Sequence, residues 1–531
     1  MSRNTTDPHA IPEYVASSYY AGLPSRPALI YRAHPGNPWF PLSGHNVFHR
    51  RKLLCPVFEH PLANLWNSGL WKDVQKAMDL NGVHFTTMDV VRFRAELDDE
   101  AEEQDEEEAN TPALSPVTIW VGVPEATAPT ACHNAALAVL SLLAHHDITD
   151  VNLEFRASEY RAASRGAAAL VLPPVSAENP LRNVQAPLTS NLGFPVSAVS
   201  KPDSQGTMAL FLAEEGSSDD RLLGLTCRHV LFDNTESNSD YRPHPDAPDK
   251  NVTLLSQKGY DDHQKLIDRE IAGTSIMEDY WERTMQRFQG QDDAPAQEGQ
   301  RLARENIEKC QEKREKLRVF DPQFKRLVDP NSRVLGPVLF SPAIKPGPDG
   351  QQFLEDWAVF EVPRSKLGNR FQGNKLDLGT AISVVDHHLP LRGIIGDEDM
   401  RIPGMKDRNG DPCLLVVKTG AGTGTSIGKA NGVRSVVRTY NPEGERAEEA
   451  SVAWCVLPLA YDGTRSVEPF AGDGDSGSVV VDIRGRLGGM LTGGGGWGSS
   501  LVGFDTTYVT PFWWLLERIR ANGFPDAHAD V

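Results

Sequence analysis

Short apolar runs separated by turn residues dominate the chain from about residue 190 onward. Each run is rich in Val, Leu, Ile and aromatic residues and is bounded by Gly, Pro, Asn or Asp, which is the pattern of β-strands joined by tight turns. The runs lie at residues 207–212, 222–230, 334–340, 357–362, 414–418, 433–438, 452–457, 478–483 and 487–492. This spacing predicts an all-β barrel or sandwich.

One stretch, residues 255–325, interrupts the β pattern. It is dominated by Glu, Lys, Gln and Arg, and it carries an apolar stripe at helical spacing. The stripe consists of Ile267, Ile271, Met277, Trp281, Met285 and Phe288. Residues 290–295 separate this helix from a second, more polar one at about 296–317. The sequence predicts an inserted helical hairpin, which either stabilises the domain or docks a partner.

The first 160 residues have a different pattern, which alternates strand-like and helix-like segments. The order is strand, helix, strand, strand, helix, strand, at residues 28–32, 62–80, 83–93, 117–123, 130–144 and 151–155. This order predicts an α+β domain of the ferredoxin-like type over residues 1–160. Residues 161–190, Ala-rich and then Pro-rich, are predicted to link it to the β domain at 191–525.

The chain is acidic, with a formal net charge of −19. Residues 96–108 hold ten of the acidic side chains and no basic one, which predicts a solvated loop, with a docking segment for a basic partner as the alternative. A net negative charge opposes binding to phosphates, so we expect no nucleic-acid partner.

The six cysteines form no C-x-x-C pair, which favours reduced thiols inside the cell.

The sequence indicates a cytoplasmic protein without a membrane partner. The first thirty residues lack the basic and apolar segments of a signal peptide, and the longest apolar run, 135–143, is too short to span a bilayer. The basic cluster at residues 49–52 is interpreted either as a surface patch or as a nuclear localisation signal, which would make the nucleus the alternative location.

The motif GDGDSGS at residues 472–478, followed by the apolar residues 479–481, indicates a nucleophilic serine. Glycines on both sides of Ser476 allow a tight turn, and such a turn can direct the backbone N–H groups of Gly474 and Ser476 at a developing oxyanion. The alternative is a hairpin turn without a catalytic role.

Two further residues supply the partners that a nucleophilic serine needs. His229 lies at the end of the apolar run 222–230, and Asp356 lies directly before the run 357–362. A buried aspartate is costly unless it is hydrogen-bonded, and a histidine N–H is the partner that a catalytic triad provides. The alternatives are a structural histidine and a strand cap.

The order His229, Asp356, Ser476 resembles that of the chymotrypsin-like (trypsin-like) serine peptidases, in their microbial and intracellular form. The family's T-A-x-H, Asp-before-strand and G-D-S-G-S motifs are matched by TCRH at 226–229, DWA at 356–358 and GDSGS at 474–478. Further similar segments are KTGAGTGTSIG at 418–428, the strand beside the substrate cleft at 485–492, and the last strand and C-terminal helix at 508–519. The resemblance spans residues 190–522 without the helical insertion.

The resemblance implies a double β-barrel and a serine endopeptidase that needs no cofactor. His229 is then the base that takes the proton of Ser476, and Asp356 orients His229. The N–H groups of Gly474 and Ser476 form the oxyanion hole. The long spacing between His229 and Asp356 follows from the helical insertion, whereas Cys227 and Arg228 replace small residues beside the histidine.

The resemblance also implies how a protein or peptide substrate binds. Thr492, Gly493 and Gly494 would offer their backbone to an extended peptide by strand addition. Phe470 stands where the trypsin type carries an acidic pocket floor, so specificity for basic residues is not expected. Residues 495–498 are predicted to form a loop at the pocket, or a plain surface turn.

Three interpretations of the whole chain stay open. The first is the serine endopeptidase, and the second is a catalytically silent chymotrypsin-like fold that acts as a binding or scaffold module. The third is an interaction protein organised by the acidic run and the helical hairpin. The N-terminal domain is interpreted as a prosegment, an inhibitory module or a partner-binding module.

Three other motifs carry no function in this interpretation. Residues 422–429 lack the first glycine and the Ser/Thr of a phosphate loop. Asp386, His387 and His388 are adjacent, and neighbouring strand residues point to opposite faces, so no metal site is predicted. The pair at residues 145–146 ends a helix, where a histidine is typically structural.

Overall fold

The structure is a computed structural model, and it describes most of the chain. The described residues are 7–34, 50–97, 114–161, 171–172, 174–176, 179–214, 221–233, 235–244, 249–291, 293–367, 371–379, 387–407, 409–438, 449–459, 468–496 and 503–531. Most of the acidic run, Asp386 and residues 497–498 of the predicted pocket loop lie outside them.

The N-terminal part combines a sheet with helices. Its strands are β1 (Leu29–Ala33), β2 (Arg50–Cys55), β3 (Thr87–Leu97), β4 (Thr118–Val123), β5 (Asn152–Ala157) and β6 (Glu159–Arg161). Its helices are α1 (Glu13–Ser18), α2 (Pro61–Leu65), α3 (Trp71–Leu80) and α4 (Pro129–Ala144). Between α2 and α3 the chain kinks at Gly69, whose φ of 124° is not helical.

The structure contains the six predicted elements in the predicted order, together with α1 and β2, which were not predicted. The ferredoxin-like arrangement is not confirmed. The sheet order is β1-β5-β4-β3, and β4 and β5 pair directly in parallel. A ferredoxin-like sheet separates the two strands of each β-α-β unit by another strand. Here α4 connects two adjacent strands instead.

The middle of the chain forms an eight-stranded antiparallel sheet, completed by a strand near the C-terminus. Its strands, in chain order, are β7 (Pro195–Ala198), β8 (Gly206–Thr207), β9 (Leu210–Glu214), β10 (Arg221–Thr226), β11 (Asn251–Leu254), β12 (Val334–Phe340) and β13 (Ala358–Pro363). A separate hairpin pairs β14 (Lys375–Asp377) with β15 (His388–Pro390). The helices of this part are α5 (Arg182–Gln185), α6 (Arg228–Leu231), α7 (Gln257–Arg287) and α8 (Ala294–Lys325).

The last part contains a closed six-stranded antiparallel barrel. Its elements are β16 (Leu414–Gly420), β17 (Gly424–Ala430), β18 (Ser435–Val437), β19 (Ser451–Pro458), β20 (Val479–Asp482), β21 (Leu487–Gly496), β22 (Thr506–Pro511), β23 (Ala527–His528), α9 (Asp397–Arg401) and α10 (Phe512–Ala521). The order β19-β17-β16-β20-β21-β22 closes because β22 also pairs with β19. The mainly β character that the strand spacing predicts is confirmed, and β23 pairs with β9 of the other sheet.

The inserted helices α7 and α8 start at side-chain caps. Ser256 Oγ accepts the N–H of Gly259 at 3.2 Å, and Asp293 accepts the N–H of Ala296 at 2.8 Å. The second helix extends to Lys325, beyond the predicted end. The predicted linker is packed in its described part, since His263 Nε2 of α7 lies 2.9 Å from the Val184 carbonyl and Leu188 is fully buried.

The N-terminal sheet continues into the barrel. Met88 and Thr87 of β3 pair with Val436 and Val437 of β18, so both parts belong to one sheet. Neighbouring strands satisfy each other's backbone groups, and this edge is therefore closed inside the molecule. No helix within the described residues is both long and apolar enough to cross a membrane. All six cysteines are free thiols.

Candidate active site

The pairing of β10 with β13 brings His229 and Asp356 together. Thr226 lies opposite Ala358, so the residues that leave β10 and those that enter β13 are neighbours at that end of the sheet. The predicted run 222–230 is not one strand: β10 ends at Thr226, and His229 lies on the single turn α6. His229 Nδ1 lies 2.5 Å from Asp356 Oδ2, and the His229 N–H donates to Oδ1 at 3.0 Å.

This contact fixes the histidine in one orientation. Both carboxylate oxygens of Asp356 accept from His229, and a neutral imidazole that donates from Nδ1 keeps its lone pair on Nε2. His229 Nε2 is buried and has no hydrogen-bond partner among the described residues. A buried acceptor without a hydrogen bond lowers the stability of the fold, so the unpaired Nε2 of His229 indicates a functional role.

Ser476 lies, fully buried, in the turn before β20. Gly474 and Gly477 on either side have φ values of 97° and 92°, which glycine adopts without strain. A Cβ at Gly477 would lie 2.0 Å from the Thr207 carbonyl oxygen. The Thr207 N–H donates to the Ser476 carbonyl at 2.7 Å, so the turn is fixed against β8 of the other sheet.

One carbonyl joins the serine turn to the histidine segment. Leu491 O accepts the N–H of Gly477 at 2.8 Å and the thiol of Cys227 at 3.3 Å. Ser476 Oγ itself donates to the carbonyl of Thr492 at 3.2 Å. The structure therefore places all three predicted residues around the join between the sheets, with the Ser476 hydroxyl bonded to Thr492 and not to His229 Nε2.

The Gly474 N–H is an unused donor in this turn. The Asp473 carbonyl faces Gly422, where an added Cβ would lie 2.2 Å from its oxygen. In a trans peptide the N–H points away from the carbonyl, so the Gly474 N–H is directed to the opposite side. No described residue accepts a hydrogen bond from it. This geometry suits one of the two predicted oxyanion donors.

Asp475, next to Ser476, is held by a buried cation that sequence reasoning did not assign to the site. Lys418 Nζ donates to Asp475 Oδ2 at 3.0 Å, and the side chains of both residues are fully buried. Burial lowers the pKa of Lys418 and Asp475 opposes this shift. A lysine inside the apolar run 414–418 is the signal that could have identified this role, because a buried ammonium group requires a partner.

The predicted substrate residues occupy two environments. Thr492, Gly493 and Gly494 lie on β21, which continues beyond the predicted run 487–492 to Gly496, so residues 495–496 are strand and not loop. Phe470 is fully buried in the apolar core of the barrel, and its carbonyl accepts Ser426 Oγ at 2.6 Å. The glycine run is a strand because β22 pairs with residues 493–495 and β6 pairs with residues 494–496.

The residues beside His229 have structural partners. Arg228 donates to the Ser341 hydroxyl at 3.1 Å and to the Ser239 carbonyl at 2.9 Å, and its guanidinium lies 4.1 Å from the centre of the Phe232 ring. These contacts stabilise the charge of a buried guanidinium beside His229. Lys201 Nζ donates to the His229 carbonyl at 2.7 Å, which fixes the turn further.

Cys227, His229 and Asp356 are also the one group among the described residues whose side-chain donors could hold a metal ion, since their ligand atoms lie within 4.8 Å of one another. Burial and the nearby Asp356 carboxylate raise the pKa of the Cys227 thiol well above its usual value. Metal binding requires a thiolate and a free carboxylate oxygen. Here burial disfavours the thiolate, and both Asp356 oxygens already accept hydrogen bonds from His229, so the arrangement fits a metal poorly.

Comparison with known proteins adds no assignment. Models of known protein families do not match this chain, and neither do curated proteins.

Proposed function

We propose that the chain is a serine endopeptidase with a chymotrypsin-like double barrel, in which His229, Asp356 and Ser476 form the triad. The contact of 2.5 Å between His229 Nδ1 and Asp356 Oδ2 is the main support. It leaves Nε2 as an unpaired base in the described part of the chain. The nearby serine turn, with its free Gly474 N–H, supplies a nucleophile and an oxyanion donor.

The proposed reaction begins when the Ser476 hydroxyl exchanges its bond to Thr492 for one to His229 Nε2. Ser476 Oγ then bonds to the carbonyl carbon of the peptide while its proton moves to Nε2. The N–H groups of Gly474 and Ser476 stabilise the oxyanion, and one such donor contributes about 10²–10³ in rate. The C–N bond breaks as Nε2 gives its proton to the leaving amine, and water releases the acyl group by the same steps.

Hydrolysis of a small activated ester tests this proposal without a requirement for a particular peptide sequence. We expect p-nitrophenyl acetate to acylate the wild-type protein, with loss of the reaction in Ser476→Ala. Ser478→Ala is the matched control, because Ser478 is a buried serine on the same turn with no assigned role. Equal hydrolysis by the wild type and Ser476→Ala would contradict the proposal.

A catalytically silent fold that binds peptides is the second candidate. The bond from Ser476 Oγ to Thr492 O, at 3.2 Å, favours it, because the hydroxyl is not bonded to the base. A silent fold predicts that Ser476→Ala retains every binding activity and that the wild type is not acylated. The ester experiment therefore separates the two candidates.

A further inference from the structure

The edge of β21 beside Ser476 is occupied by a segment of the same chain. Strand β20 pairs with β21 only as far as the Val479 and Met490 pair. Beyond this pair Leu491 still bonds to Gly477 and Ser478, and the chain then turns away through Ser476. Among the described residues no strand of the barrel pairs with this edge of β21 at residues 494–496. Residues Glu159–Arg161 (β6) fill part of it, in antiparallel pairing with Gly496, Gly495 and Gly494.

This part of β21 presents mainly backbone to a partner strand. A Cβ at Gly494 would lie 2.2 Å from the Phe504 ring, and one at Gly495 would lie 2.9 Å from Tyr508 Oη. The opposite edge is already paired with Thr506 and Thr507 of β22. An added strand can therefore bind through main-chain hydrogen bonds, which is the mode of an extended peptide.

The direction of β6 is that of a chain approaching the nucleophile. From Glu159 to Arg161 its partners change from Gly496 to Gly494, which is the direction toward Thr492. The Thr492 carbonyl accepts the hydroxyl of Ser476. The segment thus occupies backbone groups of β21 that begin two residues beyond Thr492.

A buried strand attaches β6 firmly to the rest of the molecule. Ser158 alone separates it from β5, and the Ser158 N–H donates to the Val123 carbonyl at 2.9 Å while Thr86 Oγ1 donates to the Ser158 carbonyl at 3.1 Å. A segment tethered this closely has an effective concentration on the order of mM. A free peptide at micromolar concentration must compete with it.

We propose that the edge of β21 at residues 494–496 is a binding site for extended peptides, and that β6 is its built-in occupant, which blocks peptide substrates until it is displaced. The inhibitory role rests on the proposed peptidase function, whereas the occupancy does not. A binding measurement in a Ser476→Ala background therefore tests the occupancy independently of catalysis.

The test compares two double variants in that background. Tyr160→Pro with Arg161→Pro removes a ladder N–H in either register, because alternate residues donate across an antiparallel pair. Tyr160→Ala with Arg161→Ala keeps the backbone donors and is the matched control. The probe is a fluorescein-labelled peptide with the sequence of residues 157–166, ASEYRAASRG, followed by fluorescence anisotropy. We expect the proline variant to bind it at least about tenfold more tightly than the alanine variant.

A crosslink tests the same site in the opposite direction. Glu159 and Gly496 are opposite each other, and a Cβ at Gly496 would have no atom nearer than 3.6 Å. Glu159→Cys with Gly496→Cys should form a disulfide on oxidation that prevents peptide binding, with binding restored by a reductant. Equal peptide affinity in the proline and alanine variants, failure of the two cysteines to crosslink, or binding by the oxidised protein would overturn the proposal. If the proline variant binds the peptide as expected but the protein with Ser476 intact does not hydrolyse the ester, only the proposed peptidase function is overturned.

Discussion

Lys418 and Asp475 form a fully buried ion pair with an N–O distance of 3.0 Å, directly beside Ser476. Asp475 also accepts the N–H groups of Gly422 and Gly472, at 2.9 Å and 3.0 Å. The carboxylate thus connects the loop between β16 and β17 to the serine turn. The shape of this turn, and with it the direction of the Gly474 N–H, depends on one cation from a neighbouring strand.

Removal of that cation should damage the fold and the site together. Lys418→Met leaves Asp475 buried without its partner charge, and loss of one member of a buried pair costs about 3–5 kcal/mol. We expect this loss in the free energy of unfolding, measured with urea, and slower acylation of Ser476. The control is Lys429→Met on β17, because Lys429 is partly exposed and its Nζ lies 3.6 Å from Asp407. Similar stability of the two variants would contradict the role assigned to Lys418.

Asp356→Asn should leave the fold nearly intact and reduce activity. The amide can hold the histidine in the wrong tautomer, and the corresponding change in a working triad lowers kcat by about 10⁴. Glu355→Gln is the matched control, since Glu355 is the adjacent buried carboxylate and it binds Arg518 instead. Ester hydrolysis measures both variants. Equal rates for the two would show that Asp356 does not act through His229.

The helical insertion should confer a pH dependence on stability. Burial lowers the pKa of His263 from 6.5 to about 4, so the unfolded state binds its proton more readily than the folded state. The free energy of unfolding is therefore highest, as far as His263 is concerned, above pH 6.5. It falls by about 3 kcal/mol as the pH falls from 6.5 to 4. His263→Gln retains a donor for Val184 without a titration. Urea unfolding between pH 4 and 7 measures the free energy of unfolding of both proteins. We expect the difference between wild type and variant to change in this pH window, and a constant difference would show that His263 does not cause the pH dependence.

Cys227 distinguishes the triad from a metal site. In the proposed triad its thiol only donates to Leu491 O, so Cys227→Ala should acylate at a rate within about threefold of wild type and lose about 1–3 kcal/mol of stability. A metal centre built from Cys227, His229 and Asp356 would instead lose its ion and its activity in this variant. Addition of a chelator to the wild type is the second measurement, and inhibition by it would favour the metal.

Local patterns predict most of the secondary structure because helices and strands are recorded in short-range periodicity. The run 478–483 agrees with β20 at Val479–Asp482, and the segment 130–144 agrees with α4 at Pro129–Ala144. The prediction of a strand over residues 222–230 was wrong at its end. The pairing of β10 with β13 stops at Thr226 and Ala358, and the apolar residues after Thr226 belong to α6. Apolar character alone does not show where a partner strand ends.

Long-range pairing could not be predicted from these patterns. Neither β3 with β18 nor β6 with β21 has a local signal, since any edge strand offers the same backbone groups. The sequence predicts a loop or a surface turn at residues 495–498, whereas pairing with β6 and β22 makes residues 495–496 part of a strand. The resemblance places Phe470 at the pocket floor by its position relative to Ser476, and the structure shows its side chain in the apolar core of the barrel.

Labelling with a fluorophosphonate probe, followed by mass spectrometry of the labelled peptide, tests the central claim most directly. The proteins are the wild type, Ser476→Ala, Ser478→Ala and the Tyr160→Pro, Arg161→Pro variant with Ser476 intact. We expect a covalent adduct on Ser476 in every protein that retains this serine, with faster labelling in the proline variant. If the wild type and the proline variant are folded and both stay unlabelled, or if the adduct lies on any other residue, the proposed peptidase function is contradicted.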